Sequence, residues 1–306
     1  TKDSVMRRHL RQFESSWYSK SRVDRSRVRL TQTQYFDSVD LQTSNVPGAT
    51  DQIDVNFHVK ERNTGKVMVG AGVSSSEGLV GTFTLSQSNF LGTGNTVSTS
   101  ISTGEVNKTY ALSYQDPYWT DDGVSRTFGV YRRDVNTTDL STAAYNTFSY
   151  GTNIDFIIPL TEYNSISSGI NLDLTKIELG TYASQEYLDY CRNLSGSTST
   201  NNCNSDSVSV SVGYGRDTRN NAQFPTSGQV FKIGAQIGLP VFDMNYYQIT
   251  GRAEKYWPLQ DGMSFKVKGT VGLADAYGDK KFPFFKNFFM GGATTIRGYD
   301  QASVGE

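Results

Sequence analysis

The chain is short of the residues that most enzymes and metal proteins use. Among 306 residues there are two histidines, His9 and His58, and two cysteines, Cys191 and Cys203. The sequence pattern brings no serine or cysteine nucleophile near either histidine, and no catalytic constellation is present. The chain is therefore expected not to be an enzyme and to need no cofactor. A metal site is disfavoured, because the cysteines have no histidine and no second thiol pair near them. Charge of one sign is also missing. The 29 basic and 30 acidic groups leave a net charge of −1, which gives no support for a nucleic-acid partner. No apolar run approaches the ~18 residues of a membrane-spanning helix. The start, "TKDSVMRRHLRQF", is polar and amphipathic rather than a signal peptide, so a cleaved precursor or an excised fragment is expected.

Tyrosine, phenylalanine and glycine are abundant: 18, 17 and 29 residues against seven prolines and five methionines. That is β-rich chemistry with many turns. "WTDDG" contains an Asp-Gly step in a tight connection and reads as a hairpin turn rather than a cation site. "GTGN" lies between two strands, with no following helix, so it is not a phosphate loop. Cys191 and Cys203 flank polar turn formers in "CRNLSGSTSTNNC" and read as a local disulfide, which implies an oxidising compartment. Closing so short a loop contributes ~3 kcal/mol in the chain-entropy picture.

Two regions differ along the chain. In residues 1–62, "SVMRRHLRQF" sets Val5, His9, Leu10 and Phe13 at helical spacing, with Asp3 as N-cap. "VDRSRVRLTQ" predicts a second helix through Val23, Arg27 and Leu30, with further arginines facing out. Two alternating strands follow, "YFDSVDLQTS" and "DQIDVNFHVKER", joined by the turn "NVPGAT". This helix–helix–strand–strand module is expected to lack a preceding strand.

From about Lys66 the apolar period becomes two. "SVSVSVGYG" alternates Val208, Val210, Val212 and Tyr214 with serine and glycine, and "MSFKVKGTVGL" does the same with lysine and threonine. A sandwich also alternates. A wet face of Lys, Ser, Thr and Gly favours a transmembrane antiparallel β-barrel over 63–306. So do aromatics gathered in "DPYWTDD", "EKYWPL" and "FPFFKNFF", where interfacial girdles would sit. About eleven strands are counted. Most even-numbered connections are short. The long ones, around 133–147, 177–206 and after Ala274, are all odd. This parity puts the N-terminal module in the periplasm and the cysteine segment outside the cell. Bacterial barrels have even strand numbers, so further strands are expected. A passive porin-like barrel would not need the N-terminal module.

Several stretches together resemble the BamA family of outer-membrane β-barrel assembly factors. They are "VKERNTG", "QSNFLGTG", "DPYWTDDGVS", "FPTSG" and "GGATTIRGYD", in that order over the whole chain. The resemblance implies that residues 1–62 are a POTRA domain without its first strand. It also implies that the last stretch is an extracellular loop folding into the barrel, with Gly291, Gly292, Ile296, Arg297, Gly298 and Tyr299 as its motif. Arg297 would enter the lumen and pair with groups on later strands. The implied function is folding and inserting β-barrel proteins into the bacterial outer membrane. The partners would be nascent outer-membrane proteins, accessory lipoproteins and the lipid bilayer. The alternatives are a two-partner-secretion or autotransporter-assembly pore of the same broad family, or a porin-like barrel.

Two surfaces are expected to carry that function. Arg7, Arg8 and Glu14 would form a periplasmic docking face, beside the edge strand "DQIDVNFHV". The first barrel strand would be a lateral gate contacting the client's terminal strand. It comprises Lys66, Val67, Met68, Val69, Gly70, Ala71, Gly72, Val73 and Ser74. Val67, Val69, Ala71 and Val73 make its lipid-facing stripe. Met68, Gly70, Gly72 and Ser74 make the other face, and glycine weakens the strand's seam.

Overall fold

The computed structural model describes residues 1–74, 77–137, 145–181, 183–195, 201–221, 224–260, 263–291, 295–296, 298–299 and 304. Helix α1 spans Asp3–Arg7 and α2 spans Lys20–Gln32. Strands β1 (Phe36–Asn45) and β2 (Ile53–Glu61) form an antiparallel pair on which α2 packs.

The first helix is shorter than its apolar spacing predicts. Lys2, not Asp3, is the N-cap, and Asp3 instead accepts from Arg7 Nε at 2.5 Å. Beyond Arg7 the backbone leaves the helix. The Arg11 amide donates to Ser26 Oγ on α2, and Phe13 is 66% exposed. Tertiary contacts override the local spacing. On α2 the buried residues are Val23, Ser26 and Leu30, while Arg27 faces solvent. Ser26 is tolerated there because its hydroxyl donates to the Arg22 carbonyl at 2.8 Å and accepts from Arg11.

The second region is one antiparallel meander. Its strands are β3 (Gly65–Ser74), β4 (Gly78–Gln87), β5 (Thr96–Thr103), β6 (Asn107–Asp116), β7 (Ser125–Asn136), β8 (Tyr145–Pro159) and β9 (Asn164–Leu179). After helix α3 (Gln185–Ser195) and the short β10 (Asn202–Asn204) come β11 (Ser207–Asp217), β12 (Gly228–Gly238), β13 (Tyr246–Gln260) and β14 (Met263–Ala276). Each main strand pairs with the next, and β10 attaches to β9. The path holds the eleven strands counted from the alternation. Among the described residues, β3 and β14 are its two open edges.

Alternation sorts the two faces. Val130, Ile170, Val212 and Val271 are exposed on the outer face, each more than half accessible. Ser207 and Ser209 lie buried on the inner face. At one end of the sheet Trp119 stands 5.3 Å from Phe156, and Trp257 stands 5.8 Å from Phe265. Arg126 and Lys255 lie 5.1 Å above the two indoles, carrying charge to the edge of an apolar belt.

At the other end, the segments after β9 and after β14 form a lid. Tyr145, Ile177, Leu179, Tyr190, Cys191, Cys203 and Phe284 make its core. The Cys191–Cys203 disulfide is present, with the Cα atoms 5.3 Å apart. Two sequence expectations change here. The cysteine segment is partly helical, since α3 carries Tyr187, Tyr190, Cys191 and Leu194 on one face. "FPFFKNFF" is no girdle: Phe284 is 2% exposed and stacks on Tyr187 at 4.1 Å.

Candidate functional site

The leading strand β3 has the predicted two faces. Val67, Val69, Ala71 and Val73 pair with Leu85, Phe83, Gly81 and Leu79 of β4, and both sets lie on the outer face. Met68 and Gly70 oppose Thr84 and Thr82 on the inner face, and Thr82 Oγ1 donates to the Gly70 carbonyl at 3.5 Å. Lys66 opposes Ser86, Gly72 opposes Val80 and Ser74 opposes Gly78. On its other side, β3 pairs with no strand among the described residues.

The segment after β14 turns into the barrel. A Cβ on Gly272 would lie 2.6–2.8 Å from the Phe288 ring, so the glycine leaves the room in which that ring rests against the wall. Phe288, Phe289, Met290 and Thr295 line a cavity of about 1080 Å³ against Ser211 and Gln236. Met290 and Val304 exchange both backbone hydrogen bonds, at 2.7 and 2.9 Å. Thr295 Oγ1 accepts from the Gly291 amide at 2.8 Å and donates to its carbonyl at 2.7 Å. Gly298 has φ of +91°, in the left-handed region. Ile296 is half-buried and Tyr299 exposed. Gly292 and Arg297 lie outside the described residues.

One inner-face network was not anticipated. Glu254 is 4% exposed and accepts from Arg252, from Tyr256 Oη at 2.7 Å and from Lys266 Nζ at 3.3 Å. Alternation in "RAEKY" already set Arg252, Glu254 and Tyr256 on one face. Lys266 and Lys268 come from β14 through strand register, which the sequence does not display. Further along the wall, Tyr131 covers Gly151 and donates to Asp173 two strands away.

The N-terminal module rests on three connections at one end of the sheet. The Lys2 amide donates to the Gly92 carbonyl at 2.8 Å, between β4 and β5. Arg8 lies 4.4 Å over Tyr118, between β6 and β7. Arg25 pairs with Glu162 at 3.0 Å, between β8 and β9. This corrects the expected docking face. Arg7 and Glu14 are exposed and pair with each other at 2.5 Å, but Arg8 is turned inward against the barrel. A ring that attracts a guanidinium outcompetes an exposed position for that side chain. The two cysteine side chains are likewise less accessible than a polar loop suggests, at 0% and 5% exposure.

Comparison with known proteins agrees with this architecture. The profile of the Omp85 superfamily domain matches residues 89–306, and that of POTRA, the surface antigen variable number repeat, matches residues 1–62. Outer membrane protein assembly factor BamA from Neisseria meningitidis serogroup B is 33% identical over 309 residues, covering 100% of this chain and 39% of the relative. BamA from Nitratidesulfovibrio vulgaris is 27% identical, covering 99% of this chain and 37% of the relative. The crystal structure of BamA from Haemophilus ducreyi lacking POTRA domains 1–3 superposes with a TM-score of 0.88 at 29% identity, over 100% of this chain and 59% of that one. CdiB from Acinetobacter baumannii shares the fold at a TM-score of 0.58 and 14% identity, over 98% of this chain and 55% of that one. The chain thus spans between 37% and 59% of the length of these relatives. The BamA resemblance read from the sequence is borne out, and the outer membrane is the location that agrees with the assembly-factor relatives. On the combined testimony of its meander, its docked module and these matches, the chain belongs to the Omp85 superfamily.

Proposed function

We propose that the chain is the membrane-seated part of an outer-membrane β-barrel insertase. The observation that carries this reading is β3. It is the first strand of the meander, with an apolar outer face and glycines on its inner face. Glycine weakens a strand, so the seam at β3 opens more readily than its neighbours, and backbone groups left unsatisfied in hydrocarbon then favour a pairing strand. A client's terminal strand supplies that pairing by β-augmentation at Lys66–Ser74, and the edge acts as a template. The step needs no nucleotide and no catalytic residue. The end bearing the module faces the periplasm, and the disulfide-closed lid faces the cell exterior. Clients are nascent outer-membrane barrels. The exposed Arg7–Glu14 pair and the edge of β2 are where accessory lipoproteins or extended segments would dock.

The test uses the full-length protein reconstituted in liposomes with an unfolded client barrel. The reading expects faster appearance of heat-modifiable, folded client without nucleotide. An unchanged client folding rate, together with a large stable conductance, would point instead to a secretion pore or porin.

A further inference from the structure

The seam between module and barrel gathers cations without matching carboxylates. Arg8 covers the Tyr118 ring, and Arg29 Nη2 donates to the same residue's hydroxyl at 3.4 Å. His9 meets that ring edge-on at 5.4 Å. Arg11 is held nearby, its Nη1 on the Arg8 and Leu10 carbonyls at 3.4 and 3.2 Å. Arg8 Nε and Nη2 and Arg29 Nε are buried with no acceptor among the described residues. Burial, then Arg8, Arg29 and Arg11, push His9 down to about 4. Burial and then Arg29 lower Arg11 from its usual value.

A groove of about 930 Å³ opens beside this seam, between α2 and the β8–β9 connection. Arg11, Arg22, Arg25 and Arg29 line it with Phe13 and Val28. Its acids are Asp24 and Glu162, and Glu162 is already paired with Arg25. Arg29, whose buried Nε has no acceptor among the described residues, lines this groove, and such a buried guanidinium N–H is destabilising until an acceptor reaches it. Guanidinium forks match oxyanions with several acceptor oxygens.

We propose that this groove binds a phosphate-type oxyanion through Arg11, Arg22, Arg25 and Arg29. The anion arrives as a phospholipid headgroup or as free phosphate. The groove lies at the ends of the wall strands, next to exposed Leu160 and Tyr163. Phe13 and Trp17 are 66% and 95% exposed on the same module. Arginines beside exposed aromatics suit the headgroup layer of a bilayer. A bound headgroup would tie the module's seating on the barrel to the leaflet beneath it. Only the lipid source rests on the proposed orientation; the anion site itself does not.

The test uses the full-length protein in two arms. In detergent it is titrated with inorganic phosphate, followed by calorimetry. In nanodiscs of phosphatidylcholine with or without phosphatidylglycerol, retained lipid is read by native mass spectrometry. At least one arm should show saturable binding, and which arm does so identifies the source. Arg11→Gln with Arg29→Gln should weaken it roughly tenfold or more, the scale of a lost charged hydrogen bond. Arg27→Gln, exposed on α2 outside the groove, should leave it unchanged. If the double variant fails to fold, Arg22→Gln at the groove wall should weaken binding in the same direction. No saturation in either arm overturns the proposal, as does equal weakening by Arg27→Gln. Client insertion measured on the same samples separates this outcome from failure of the insertase reading.

Discussion

Replacing Phe284 with alanine should unlock the lid. The ring is 2% exposed and sits among Tyr187 at 4.1 Å, Tyr145 at 4.9 Å and Tyr190 at 5.5 Å. Truncating a buried phenylalanine costs ~3–5 kcal/mol, with relaxation of the site favouring the lower end. The loss falls mainly on the lid, because Phe284 meets the wall at the ends of β8 and β9, through Tyr145, Ile177 and Leu179, while the ladder beyond them is paired backbone to backbone. The Cys191–Cys203 sulfurs share the same core, so a reductant reaches them only when the lid opens. If opening is fast relative to reduction, the rate follows the open population. A loss of ~3 kcal/mol then raises that rate by about a hundredfold. The assay is thiol labelling of intact cells after a membrane-impermeant reductant, for wild type and Phe284→Ala. An unchanged rate would refute the claim that this aromatic core shields the disulfide. No reduction in either protein, with full reduction after detergent lysis, would place the lid on the wrong side of the membrane.

Two further outcomes follow from local geometry. His9 is held well below its unfolded value, so the folded state disfavours its proton. Its contribution is complete above pH ~6.5 and is lost as pH falls toward 4, because the unfolded chain binds the proton more readily there. Proteolytic release of the module should therefore rise over that interval, and His9→Phe should flatten the change. Gly272→Leu should displace the inward loop, since even a Cβ falls 2.6 Å from Phe288. Overpacking of this kind costs ~1–3 kcal/mol, and the readout is greater protease access to the loop with the strands intact.

The wall was legible in the sequence because a strand repeats its environment every two residues. "SVSVSVGYG" and "MSFKVKGTVGL" carry that signal unaided, and the eleven-strand path follows from it. Helix α3 was hidden for a physical reason. It is short, flanked by polar turn formers, and its apolar face of Tyr187, Tyr190, Cys191 and Leu194 is completed from a distance, by Tyr145 and Ile177 of the wall and by Phe284, ninety residues on. Phe284 was misread for the complementary reason: an aromatic run looks the same whether it meets lipid or a lid. Arg8 and Arg29 looked like exposed charges because Tyr118, which holds them, lies on a distant barrel turn. The apolar and glycine pattern of β3 and its place as the first strand could be read directly, whereas the residues it faces on β4 needed the pairing register.

The central claim is that β3 receives the client, and site-directed disulfide trapping in the full-length protein tests it most directly. Cysteine is placed at Met68, Gly70 or Gly72, and another in the terminal strand of a client barrel arrested during assembly. The account expects a ladder of cross-links at these three positions, with little trapping from Thr82 or Thr84 on β4, whose backbone is already paired on both sides. Trapping from Thr82 or Thr84 that equals or exceeds trapping from β3 would contradict it.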